Sequence, residues 1–170
     1  MDNPNFNPNM NLSEHFTLGE LCKTSYITAD GNIPSQEAID NLRRLCADWL
    51  EEVRYLYSML YGDGDVPLII SSGYRSAEVN RMCGGAKGSN HLTGCAVDIR
   101  CQGPEQMSRL AVILLDLADS TKRDFDELIL EKRAPPIGFT SPCVRMIARR
   151  RKETLARART AGSFSSIAGK

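Results

Sequence analysis

His91 and Asp98 are the residues of this chain whose types and spacing most directly suggest chemistry. A histidine on a loop that ends at Gly94 can present one ring nitrogen outward. An aspartate on the strand that follows shares a face with its alternate neighbours. Val97 and Ile99 then face a core, while Ala96 and Asp98 face a cleft. One nitrogen and one carboxylate oxygen suit zinc, but a catalytic zinc needs a third protein ligand and an open position for water. Water on such an ion ionises near neutral pH and can attack a carbonyl. On spacing alone the pair can equally cap a turn and solvate a strand end. His15, the other histidine, precedes a helix start and reads as structural.

The elements that must position this pair follow from periodicity. Thr17-Leu18-Gly19-Glu20 has capping-box form and predicts a short helix. Thr28 to Pro34 reads as a turn. Ser35 is a predicted N-cap for a long helix to about Tyr61, with Ile39, Leu42, Leu45, Cys46, Trp49, Val53, Leu56 and Leu60 on one face. Leu68 to Ser72 is a short β-rich run, and Gly73-Tyr74-Arg75-Ser76 a turn. A short helix is predicted over Ala77 to Cys83, and a glycine-rich loop over Gly84 to Gly94. Ala96 to Arg100 alternates as a strand. Pro104 to Ser120 is an amphipathic helix, and Phe125 to Glu131 a further strand. Helices first and strands later predict an α+β fold, with N-terminal helices packed on a small antiparallel sheet. Residues 1–11 read as a disordered arm.

The chain has 170 residues, 42% hydrophobic and 25% charged, enough for one domain with a sizeable core. No apolar run approaches the roughly 20 residues that a membrane helix needs. The Asn- and Pro-rich start has no apolar signal region, so the expectation is a chain made in the cytoplasm. The cysteines form no C-x-x-C pair, which argues against a zinc ribbon. In a reducing compartment they are expected to pack as small apolar groups. Formal net charge is zero but unevenly spread: residues 143–170 hold eight basic side chains and one acid, Glu153. That break marks 143–170 as a basic tail and 12–142 as the domain.

Ile70-Ser71-Ser72-Gly73-Tyr74-Arg75-Ser76, then Asn80, Gly84 to Ser89, His91, Gly94, Ala96 and Asp98 together resemble the zinc D-Ala-D-Ala carboxypeptidases of bacterial cell-wall metabolism. Their pattern runs S-G-Y-R-S, then S-x-H-x-x-G-x-A-x-D. Leu12 to Leu21 is similar to the entry segment of phage and prophage members, and Phe125 to Glu131 to the strand before their last ligand. The resemblance covers about residues 12–133. It implies a hedgehog-like α+β fold and a zinc-dependent peptidase for peptidoglycan stem peptides, either carboxypeptidase or endopeptidase. His91 and Asp98 would be zinc ligands. Arg75 would meet the substrate's terminal carboxylate, a task suited to a planar guanidinium. Ser89 would hydrogen-bond near ligand or substrate, and Glu131 would be the general base or would support a ligand from behind. The alternative is a catalytically inactive relative that serves as a binding or structural module.

The family's third ligand is a histidine in a W-x-H strand, and no histidine follows His91 here. Cys143 or Asp126 is a possible substitute. A frameshift is another explanation. Reading the codons of residues 136–144 two bases later permits Trp across Ile137/Gly138 and His across Phe139/Thr140, followed by the family's ending. The genuine-tail alternative is a basic helix over Val144 to Arg159, the one feature that could meet nucleic acid.

Overall fold

The computed structural model describes residues 6–133 and 141–148. Three helical segments and a sheet frame the core. A short helix α1 (Leu18–Leu21) is capped by Thr17, whose hydroxyl accepts from the Glu20 amide. The predicted long helix spans α2 (Gln36–Leu45), a π-helical stretch (Cys46–Leu50) and α3 (Glu51–Tyr61). Ser35 caps it as expected, accepting from the Ala38 amide. Helix α4 (Ala77–Met82) and a 3-10 turn (Asn90–Thr93) lie in the connection from β1 (Ile69–Ser72) to β2 (Ala96–Arg100). Helix α5 (Pro104–Thr121) then precedes β3 (Phe125–Arg133) and β4 (Ser141–Ala148). The α+β expectation holds: helices pack on one antiparallel four-stranded sheet of order β1-β2-β4-β3. No described helix is long and apolar enough to cross a membrane.

Residues 6–11, assigned above to an arm, are docked. The Leu18 amide donates to Met10 O at 2.8 Å and the Gly19 amide to Pro8 O at 2.8 Å. Phe6 and Met10 pack against the core. Residues 1–5 lie outside the described residues.

The basic-helix reading of Val144 to Arg159 is corrected over its described part, because residues 141–148 are β4, between β2 and β3. The physical reason is a two-residue alternation. Val144 and Met146 are fully buried in the core, while Arg145 faces the opposite side of the sheet. Residues 134–140 and 149–170, where the shifted reading frame and most of the tail fall, lie outside the described residues.

The core face of the sheet presents Val97, Ile99, Val144 and Met146 to Leu110, Ile113, Leu114 and Leu117 of α5 and to Trp49, Leu50 and Val53 of the long helix. Each fully buried aliphatic side chain there contributes about 1.5–3 kcal/mol. Gly94 fixes the entry into β2. Its φ is +71°, and an added Cβ would stand 2.5 Å from Ala38 O. Gly94→Ala therefore combines a left-handed backbone with a clash against main chain, and should lower stability by about 1–3 kcal/mol in urea unfolding. A wild-type midpoint for that variant would refute the packing argument.

Cys22, Cys46, Cys95, Cys101 and Cys143 are buried and Cys83 is exposed. Burial pushes the Cys22 thiol up to about 12, and burial followed by Glu51 and Glu20 does the same for Cys46. With thiolate as the reactive form, a disulfide reagent at pH 8 should label Cys83 rapidly and the buried thiols only on unfolding. Rapid labelling of several thiols in the native protein would contradict this packing.

Candidate functional site

Asp98 lies on β2 with its side chain away from the core, as the alternation predicts, yet it is 0% exposed. Elements on three sides cover it. Directly opposite in the ladder is Arg145 of β4. Arg145 Nε donates to Asp98 Oδ1 at 2.6 Å, and a terminal nitrogen reaches Oδ2 at 3.3 Å. The same guanidinium meets Glu131 on β3 at 3.3 and 3.4 Å. Arg75 donates to Asp98 Oδ2 at 2.9 Å, and its Nε donates to Ser72 Oγ at 2.8 Å. Among the described residues, two carboxylates and two guanidiniums thus meet in one group across three strands and the β1–α4 turn.

His91 comes from the 3-10 turn, N-capped by Ser89, whose hydroxyl accepts from the His91 amide at 3.4 Å. The ring is 2% exposed. Nδ1 lies 2.6 Å from Gly73 O. A carbonyl only accepts, so Nδ1 carries the proton, and in a neutral ring Nε2 keeps its lone pair. Nε2 is buried without a hydrogen-bond partner among the described residues and lies 3.5 Å from Asp98 Oδ1. That separation is long for a hydrogen bond. Burial alone would raise the Asp98 carboxyl. His91 and Arg145 outweigh burial and hold it well below the ordinary carboxylate range. The Arg145 guanidinium, in contact with both carboxylate oxygens, sets a full positive charge against them.

The backbone around the pair is braced. The Arg75 amide donates to His91 O at 3.1 Å and the Tyr74 amide to Leu21 O at 2.7 Å. Gly73 is required here, because an added Cβ would collide with Leu21 O. Asn32, with φ +53°, is buried below the turn. Its side chain donates to Cys22 O at 2.7 Å and accepts from the Ser76 amide at 2.7 Å. Sequence reading passed over Asn32, Ser72 and Arg145. Asn32 sat in a predicted turn, and Arg145 in a segment taken for tail.

A family model described as Peptidase M15 matches residues 14–121. The chain belongs to the Peptidase M15 family. No curated protein matches the chain. The matched stretch contains Arg75, Ser89, His91 and Asp98 and ends before Glu131 and Arg145. M15 peptidases are in general zinc-dependent, so the fit of these residues to zinc can be tested.

His91 and Asp98 fit in spacing. Two ligands on one tetrahedral zinc stand about 3.4 Å apart, close to the 3.5 Å between His91 Nε2 and Asp98 Oδ1. The bond from Nδ1 to a backbone carbonyl is the usual support of a metal-binding imidazole. The rest does not fit. Among the described residues no three His, Cys, Asp or Glu side chains gather into a metal-binding set, so neither Cys143 nor Asp126 completes one there. Asp98 Oδ1 is instead engaged by Arg145. Unit charges 4 Å apart interact by about 4 kcal/mol at an effective dielectric of 20. A divalent ion beside two guanidiniums therefore meets strong repulsion. His15 belongs to another place, bonded to Glu51 of α3 at 2.7 Å.

A shallow pocket of about 160 Å³ opens beside Arg75, lined by Lys23, Ser25, Tyr26, Ser72 and Tyr74 among others. Its hydroxyls and the Lys23 ammonium suit an anionic or amide-rich ligand.

Proposed function

We propose that this M15 domain is directed at peptidoglycan stem peptides, and that the polypeptide engages such a peptide without cleaving it. The family supplies the substrate class. The pocket beside Arg75 supplies cation and hydroxyl donors for a D-alanyl carboxylate and the amide before it. One observation carries the non-hydrolytic part: Arg145 Nε sits 2.6 Å from the carboxylate oxygen that a metal would share with His91. Glu131, the expected general base, is held by the same guanidinium.

The test is calorimetric titration of a D-Ala-D-Ala-terminated stem peptide into the full chain, with chromatography of the mixture after prolonged incubation with zinc. Saturable binding without release of D-alanine is expected, weakened about tenfold by Lys23→Ala, as loss of one charge-assisted bond implies. Absence of binding would overturn the stem-peptide reading.

A second reading is an active zinc carboxypeptidase or endopeptidase. The buried Nε2 of His91, without a hydrogen-bond partner among the described residues, favours it. Its signature would be zinc-dependent release of a peptide fragment, abolished by His91→Ala.

A further inference from the structure

We propose that Arg145 is a built-in cation that replaces the metal: its guanidinium closes the His91–Asp98 pair to zinc, and the pair becomes a zinc site when residue 145 supplies a ligand instead. This rests on reading His91 and Asp98 as the family's metal pair.

Four observations carry it. Arg145 is the direct cross-strand partner of Asp98. Its Nε contacts Oδ1, the oxygen that faces His91 Nε2. Its terminal nitrogens reach Glu131, so one side chain bridges the strands on either side of β4. Among the described residues, Asp98 and Glu131 meet two guanidiniums, Arg75 and Arg145. A zinc ion inserted between Nε2 and Oδ1 would share the fully buried Asp98 carboxylate with two guanidiniums, an arrangement that burial penalises.

The register also shows how the site would open. Side chains directly opposite in an antiparallel pair have Cβ atoms about 4.5–5.5 Å apart. An imidazole at position 145 therefore reaches an ion held by Asp98. It would provide the third protein ligand, leave a position for water, and remove the competing charge. Outside the described residues the sequence offers only Asp2 and Glu153 as further carboxylates, and no histidine or cysteine.

The experiment uses the full-length chain and measures zinc affinity by competition with a chromophoric chelator. Cobalt(II) absorption separates nitrogen–oxygen sites from thiolate sites, since the chain holds six cysteines. The wild type and His91→Ala should bind zinc alike. Arg145→His should gain one site about 100-fold tighter or more, and His91→Ala in that background should remove the gain. A tight site in the wild type that His91→Ala abolishes would overturn the proposal. So would a folded Arg145→His, judged by circular dichroism, that gains no site. If Arg145→His does not fold, the wild-type comparison with His91→Ala decides alone. Zinc affinity is read without peptide, so failure of stem-peptide binding would leave this result standing, and the reverse holds too.

Discussion

Asp98→Ala will destabilise the domain by about 3–5 kcal/mol, because it strands two guanidiniums around a buried void. Arg75 is 6% exposed and cannot turn to bulk water without disrupting its neighbours, while the Arg145 side chain is partly buried at 16%. Such a loss is a large part of the 5–15 kcal/mol that holds a typical domain folded. Urea unfolding at pH 7 measures it. A second substitution tests the cause: Arg145→Met added to Asp98→Ala should recover part of the loss, since apolar replacement of a buried pair is far less harmful than breaking it. A single-variant loss under about 1 kcal/mol would show that Asp98 is not the hub of the group.

The same carboxylate sets the acid limb of stability. The Asp98 pKa in the folded state lies well below the ordinary carboxylate range. A depressed acid stabilises the fold above its unfolded pKa and loses that contribution as pH falls through the folded value. The Asp98 contribution should therefore be level from pH 7 to about 5 and fall progressively below about 4. In Asp98→Ala this part of the acid dependence should be absent.

A chain ending at Thr140 is expected not to fold. It lacks β4, so β2 and β3 lose the strand that both pair with. It also loses the fully buried Val144 and Met146. These side chains contribute about 1.5–3 kcal/mol each, to which the ladders on both sides must be added, and together they rival the stability of a domain. Circular dichroism and hydrogen exchange would detect the failure. A cooperative transition in the truncated chain would refute the central role of β4. Met146→Ala gives the graded version, with an expected loss of about 2–5 kcal/mol.

Much of this arrangement was legible in the sequence. The three- and four-residue recurrence from Ile39 to Leu60 marked one helical face, because a helix repeats every 3.6 residues; it is buried through Val53, but Leu60 at its end is 55% exposed. The His91–Asp98 spacing and Ser35 cap were local features, readable without knowing the fold. Arg145 was not legible in this way. Its cluster of basic neighbours dominated the composition of the C-terminal segment, while the strand signal was the short alternation Val144, Arg145, Met146. Its pairing with Asp98 is a relation between distant segments, fixed by register. Asn32 escaped for a similar reason: its partners Cys22 O and Ser76 N are brought together only by the fold. The π-helical stretch over Cys46–Leu50 leaves the apolar periodicity nearly unchanged, so the long helix looked continuous.

The strand order has a consequence for synthesis. β4 is the last described strand made, yet it lies inside the sheet. Until it emerges, the nascent chain carries β2 with one unpaired edge, the kind of surface that recruits other strands. Closure of the hairpin between β3 and β4 is then the event that seals the domain. Folding of this chain should therefore depend on chaperone cover late in translation, and its yield should fall when elongation pauses before codon 141.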